Sequence, residues 1–429
     1  MNGQGSARSG LIQRGLLLQQ QRRFTEAENV FRDILARNPN DAYALMQLAS
    51  CQLHIPRRER DALQSINQAI ALQPNEAVYH GMKAYILCTL HRPEEALISA
   101  NAGLELDPSS CYVFTSRAQA LLVMEKWSLA ETAARQALAL DADNANAANQ
   151  LAHALRLQNK MDENATQIAG MLARDPEDAR THCSAGWSAL QLGDRKTAEQ
   201  HFLEALRLEP GYESARHGLL NSFRARSPLY RAYLAYCFRM QKVGRQARFA
   251  VIVGAVIAVN FFRALFTGPM APVAFGIAVL YFLFVLWVWV AKGVGNFILL
   301  FDRFARHALL QSEKIEALFV GGGIGAGLIL LGAGFAFRQE GLYMPAATLI
   351  ASAFPLSMTF TNPSLPGRVI FGGIGAFCLV TCAALLCNNV FQLDSAMQGT
   401  LQSMLTFSIM GAVLSTWLGN VPELRRRKP

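Results

Sequence analysis

The chain has 429 residues, 52% of them apolar and 17% charged, with a formal net charge of +9 and a mean hydropathy of +0.18. That is long enough for two or three domains and too apolar for an ordinary water-soluble chain. The basic excess lies in residues 226–429, where 17 Lys and Arg face 6 Asp and Glu beside long apolar runs, so it reads as the flanks of membrane segments and not as a nucleic-acid surface.

The N-terminus, MNGQGSARSG, is polar, and the following LIQRGLLL is too short and interrupted for a signal peptide. The first half is therefore expected in the cytoplasm. Eight cysteines make no CxxC pair and no Cys/His spacing suited to zinc. Cys378, Cys382 and Cys387 share one apolar run and are expected to pack there.

A repeat of about 34 residues runs through the first half. Pro39, Pro74, Pro108, Pro176 and Pro210 share one slot, with Ala142 where another proline would fall. A small residue recurs as Gly15, Ser50, Ala84, Ala118, Ala152 and Gly186, and an alanine as Ala27, Ala62, Ala96, Ala130 and Ala198, with Asn164 the exception. An aliphatic recurs as Leu35, Ile70, Leu104, Leu138, Leu172 and Leu206. One extra residue falls between Pro39 and Ser50. Each cycle holds two runs with apolar residues at i, i+3, i+4 and i+7, the mark of paired amphipathic helices. Pro93 suits the first turn of the second helix in its cycle.

These slots, with closers such as ALQPN, LELDP and LRLEP, resemble a tetratricopeptide-repeat (TPR) solenoid over residues 8 to about 225. The aromatic slots of that family are mostly lost, and the fifth cycle, MDENATQIAGMLARDP, is weak. The segment GYESARHGLLNSFRAR reads as the capping helix that a solenoid needs. The resemblance implies a groove lined by the first helix of each repeat, holding a peptide or a partner helix. By register that groove presents Gln13, Gln47, Cys51, Tyr85, Tyr112, Gln119, Asn149, His153, Arg156 and Trp187. The subclass that clamps acidic chaperone tails carries Lys and Asn at these slots; here Arg156 is nearly the only cation, which implies an apolar or mixed peptide instead.

Beyond residue 226, six apolar runs have spanning length: 249–266, 271–291, 317–337, 342–361, 369–387 and 401–418. With six spans, cytoplasmic segments carry 14 Lys and Arg and external loops only Arg338, which predicts both termini inside. SPLYRAYLAYCFRMQKVGRQARF mixes tyrosines with basic residues and suits a headgroup layer, as does NFILLFDRFARHALL with Phe297, Phe301, Phe304 and Ala308 at helical spacing. The expected layout is a cytoplasmic solenoid over 1–226, a basic aromatic juxtamembrane helix over 227–248, a six-helix membrane domain over 249–420 with an interfacial helix near 294–312, and a basic tail over 421–429. The class is all-α.

The stretch VGGGIGAGLILLGAGF lacks the Lys-Ser/Thr and strand–turn–helix context of a phosphate loop. On a helix, Gly321 with Gly325 and Gly323 with Gly327 are small-xxx-small pairs that let another helix approach, from this bundle or a second subunit. GGIGA recurs from Gly372 and Gly373 onward in the fifth span. Arg263 near the outer end of the first span has Asn260 as a polar neighbour, and no Asp or Glu falls inside the spans as drawn. No catalytic, metal or cofactor constellation is found. The expected function is a non-enzymatic adaptor of a bacterial inner membrane that recruits a protein or peptide to the bilayer. The alternative is a transporter or channel with a regulatory solenoid.

Overall fold

Paired helices occupy the repeat region, and their boundaries repeat with the period of the sequence. The structure, a computed structural model, describes residues 2–243, 271–362, 364–391 and 395–418, with 421 and 424. Among these the helices are α1 (Asn2–Gln20), α2 (Phe24–Arg37), α3 (Ala42–His54), α4 (Glu59–Leu72), α5 (Ala77–Thr89), α6 (Pro93–Leu106), α7 (Cys111–Val123), α8 (Trp127–Leu140), α9 (Ala145–Leu157), α10 (Met161–Arg174), α11 (Ala179–Leu192), α12 (Arg195–Leu208), α13 (Glu213–Arg224) and α14 (Pro228–Lys242). Then follow α15 (Ala271–Leu300), α16 (Gln311–Ala336), α17 (Tyr343–Thr361), α18 (Leu365–Phe391) and α19 (Ser395–Leu418). The chain divides into two compact units. One comprises 1–193, 200–211 and 241–245; the other comprises 194–199, 212–240 and 246–429.

Helices pack within a repeat through one small slot and the side chain opposite it. Gly15 faces Phe31 and Gly186 faces Phe202, where an added Cβ would stand 2.5 and 2.6 Å from the ring. The middle repeats make the same contact with smaller partners: Ala84 and Ala100 share one buried cluster, Ala118 and Ala134 a second, Ala152 and Ile168 a third. The alanine slot, Ala27, Ala62, Ala96, Ala130 and Ala198, is fully buried. Asn164 keeps that slot in the fifth repeat because its amide is bonded on both sides, donating to the Ala152 carbonyl and accepting from Ser188 Oγ. Side-chain caps on Asp41, Asn144 and Asp178 open α3, α9 and α11.

The second repeat corrects the register. Its small slot is Ala49, which is fully buried with Ile66, while Ser50 is half-buried. The extra residue thus sits in the α3–α4 turn, after Ala49, and not between Pro39 and Ser50. A further periodic slot has no common residue type. Arg22, Arg57, His91, Glu125, Asn159 and Gly193 close the first helix of each repeat, all with positive φ between 57° and 88°. The chain must turn left-handed there, a conformation that disfavours a side chain by about 1–2 kcal/mol.

In the second unit, three helices among the described residues are long and apolar enough to cross a membrane: Gln311–Ala336, Glu340–Thr361 and Leu365–Phe391. The second expected span falls within α15, whose fully described apolar stretch, Leu286–Leu300, is shorter, and the sixth falls within α19. The first expected span, with Asn260 and Arg263, and the basic residues Arg425–Lys428 lie outside the described residues. Val290, Val320, Ala353, Phe354 and Leu356 form the shared core of α15, α16 and α17.

The α16 helix contains a π turn at Leu318–Gly322, whose extra residue per turn shifts the glycine phase. Gly321 then lies against Phe297, and Gly327 against Ile350 and the Ala346 carbonyl; a Cβ added at Gly323 would stand 3.9 Å from the Leu349 carbonyl, and one added at Gly325 would meet nothing within 4 Å. Gly372 is in ordinary contact with Thr359, and Gly373 is open. The expected interfacial segment is not one helix. After α15 the chain turns at 301–304 and resumes as Ala305–Ala308, leaving Phe301 and Phe304 largely exposed.

The left-handed slot is testable by paired substitution. His91→Gly should raise the solenoid's unfolding free energy by about 1 kcal/mol and Gly193→Ala should lower it by a similar amount. Denaturant melts of the two variants that shift in the same direction would refute this account of the turn.

Candidate functional site

The side chains expected to line a groove belong to the first unit and sit on the first helix of each repeat. The residue after the small slot forms a column, Ser50, Tyr85, Gln119, His153 and Trp187, spaced 34 or 35 apart. Tyr85, Gln119 and Trp187 are half-buried, and His153 is exposed. Cys51 does not belong to this column. It is fully buried with Ala27, Phe31 and Leu48 and accepts a bond from Gln19 Nε2 at 3.1 Å. The one-residue slip in the second repeat displaces it and brings Ser50 into its place. Gln47 donates to the Tyr43 hydroxyl at 3.0 Å, and Gln13 is exposed on α1. Tyr112 packs its ring on Gly81, with its hydroxyl 3.4 Å from Met82 Sδ.

Polar side chains on this face bond from repeat to repeat. Gln150 donates to Gln119 at 3.2 Å, Asn149 to Asp178 at 3.3 Å, Ser184 to Asn149 at 3.0 Å, and Arg156 to Gln191 at 3.0 Å. Trp187 stands edge-on to Phe202 with centroids 5.5 Å apart. His153 is exposed to solvent on a face crowded by neighbouring helices. That surrounding, then Arg156 one turn on, lowers its pKa, so it is neutral at pH 7. Burial also lowers Arg156, to about 10, which leaves it charged at neutral pH but tied to an amide. The site is therefore a neutral, aromatic-containing surface whose hydrogen-bonding groups are largely engaged with one another. An ion pair at 2.6 Å joins Arg22, after α1, to Glu209, after α12.

A second concavity of about 550 Å³ opens on the same unit between α8 and α10. Met171 takes a slot that is Ile34 in the first repeat and Ala69, Gly103, Ala137 and Ala205 in the others. Leu138, Leu151, Leu155 and Met171 form the apolar part of the wall, with Arg135, Arg174, Asp162 and Glu163 among the rest.

The second unit holds a cluster that sequence reasoning missed. Arg216 on α13 pairs with Glu313 at 2.8 Å, and Lys292 lies 3.7 Å from Glu316. Arg224 donates to Asn296 Oδ1 at 2.9 and 2.5 Å and to Asn221 Oδ1 at 2.8 Å. Glu313 and Glu316 lie within the candidate span Gln311–Ala336 and are 6% and 2% exposed. The expectation that no acid lies in a span is thus corrected, because the helix begins six residues before the apolar run drawn from 317. The only sequence signal was the i, i+3 spacing of these two glutamates at its start.

Residues 12–77 and 115–179 match one tetratricopeptide repeat model, and residues 179–212 match a second. The first half of the chain is a TPR solenoid. No curated protein matches the sequence. Among solved structures the chain is similar to Pseudomonas aeruginosa PilF (23% identity, TM-score 0.40, covering 52% of this chain and 100% of that one). It is also similar to PilW, a type IV pilus biogenesis factor (18%, 0.41, 50% and 98%), and to YrrB, a TPR protein with an unusual peptide-binding site (21%, 0.31, 44% and 96%).

Asp178 links the groove to solenoid stability. Burial alone would raise its carboxyl, but donors from Thr181, the Arg180 amide and Asn149 hold it below the usual carboxylate range. A depressed folded pKa stabilises the fold above the unfolded value, near 3.9, and the contribution is lost as pH falls through the folded value. Between about pH 4 and 2 the wild-type solenoid should lose on the order of 1 kcal/mol more than Asp178→Asn. Thermal melts across that range check it; parallel losses would exclude the carboxylate's role.

Proposed function

We propose that this protein is a membrane-anchored TPR adaptor whose groove holds a peptide or protein segment and recruits it to the bilayer. The observation that carries the reading is the column of Ser50, Tyr85, Gln119, His153 and Trp187, accessible in part and poor in cations. A neutral face with aromatic anchors suits a mixed or apolar segment, since aromatic side chains bury much area for little lost freedom. At the groove slots an acidic tail would find nearly no cation but Arg156, which is 8% exposed and bonded to Gln191. The proposed topology keeps both termini on the cytoplasmic side of a bacterial inner membrane with six spans.

The test uses the full-length protein in its native membrane. A photocrosslinker at Tyr85 or Gln119 should capture one defined partner, while the same label at the exposed Gln64 on α4 should not. The Tyr85→Ala, Trp187→Ala double variant should release that partner into the soluble fraction, with affinity down at least tenfold if both are anchors of about 1–2 kcal/mol each. Equal capture at all three positions would remove the groove from the account.

The transporter reading has one observation of its own, the buried acids Glu313 and Glu316 beside Lys292, because ionisable groups in spans commonly mark conduction or relay paths. Reconstituted protein that passes no protons or solute, with Glu316→Gln indistinguishable from wild type, would end it.

A further inference from the structure

Beside the ion cluster, the second unit contains a cavity of about 80 Å³ whose wall includes Arg224, Arg226, Ser227, Tyr230, Trp287 and Asp302. That volume admits about five water-sized groups, the heavy-atom count of a phosphate. From the charges and donors around it we infer that this cavity binds a phosphate group.

The charge argument comes first. Arg216 is matched by Glu313 and Lys292 by Glu316, which leaves Arg224 as the unmatched cation of the cluster. It is 4% exposed and bonds two amide oxygens. Among the described residues no carboxylate lies within ion-pair distance of it. A buried guanidinium held only by neutral acceptors favours an anion next to it.

The hydrogen-bond inventory points the same way. Asp302, the acid on the wall, is engaged: Oδ1 accepts the Phe304 and Ala305 amides at 2.9 Å, and Oδ2 accepts Arg226 Nη1 at 2.6 Å. Asn296 and Asn221 give their carbonyl oxygens to Arg224, and Asn221 also accepts from the Tyr230 hydroxyl at 2.9 Å. On the cavity wall the group left over is a donor, the buried indole N–H of Trp287. In the ion cluster beside it, Asn296 Nδ2 lacks an acceptor, and Glu316 Oε1, at the Lys292 end and off the cavity wall, lacks a donor. Two orphan donors beside an unmatched guanidinium call for a compact, acceptor-rich anion. A cation would meet the wrong charge, and a neutral amide would bring further donors.

Ile298, half exposed, and Leu299 form the apolar side of the same cavity, where an acyl chain could continue from the headgroup. A phospholipid and free phosphate present the same chemistry, and the experiment separates them. Full-length protein in detergent would be examined by native mass spectrometry with phosphatidylglycerol, and with a diglucosyl lipid of the same chains that lacks phosphate. Inorganic phosphate would be titrated calorimetrically.

Phosphatidylglycerol should be retained in preference to the glucolipid. Trp287→Phe, which keeps the ring and removes the N–H, should weaken retention about tenfold. Arg226→Gln, on the exposed rim, should weaken it severalfold. Both variants should keep the wild-type melting temperature, whereas Arg224→Gln would also strand Asn296 and Asn221. Competition by millimolar inorganic phosphate, with the same Trp287→Phe loss, assigns the site to free phosphate; no competition assigns it to the lipid. Equal retention of both lipids, with no calorimetric binding of phosphate, overturns the proposal. Unchanged binding by Trp287→Phe also overturns it.

Discussion

Close approach of two helices through a fixed pair of slots is the constraint on which the solenoid rests. Wherever the first helix offers only Gly, as at Gly15 and Gly186, the second helix answers with Phe31 or Phe202. Wherever it offers Ala, the answer shrinks to Ala100, Ala134 or Ile168. The bulkiest partner meets the slot with no side chain, as dense packing demands, while two middle repeats make do with a pair of alanines. Because each repeat buries its alanine slot against this contact, the groove residues one position further on are presented at a regular spacing. The groove is therefore a by-product of packing, and its chemistry is free to differ.

The second unit solves a different problem. In the membrane proposed for them, its apolar helices have no hydrophobic reason to prefer one another over lipid, and small residues and polar bonds decide such packing. Gly293 against Val320 and Gly327 against Ile350 supply the first kind. Ser357 bonding the Trp289 carbonyl and Ser408 bonding Thr381 supply the second. The capping helix α13 belongs to this unit and is bonded within it by Arg216 to Glu313 and by Arg224 to Asn296.

The repeat period was legible because packing restricts the same slots in every cycle. Register in the second repeat was not, since Ala49 and Ser50 are both small and only burial tells them apart. The left-handed turns were invisible for a different reason. Geometry there constrains the backbone, and Arg, His, Glu and Asn hold the slot at a cost that leaves no common residue type to read. Arg224 and Asn296 are 72 residues apart, a separation over which no local pattern exists. Glu313 and Glu316 were hidden by the width of a hydropathy window, which starts a helix where apolar residues begin and not where the backbone does.

The ion pair between Arg22 and Glu209 has a mechanical consequence. It ties the first repeat of the array to the sixth, and Arg22 remains 64% exposed at its side chain. An exposed pair of this kind contributes roughly 0–1 kcal/mol and weakens as salt rises. The array thus behaves as a spring with a soft clasp, whose rest curvature follows ionic strength. In the adaptor proposed above, the tie between the two ends of the array is thus one that salt loosens while the buried slots stay packed.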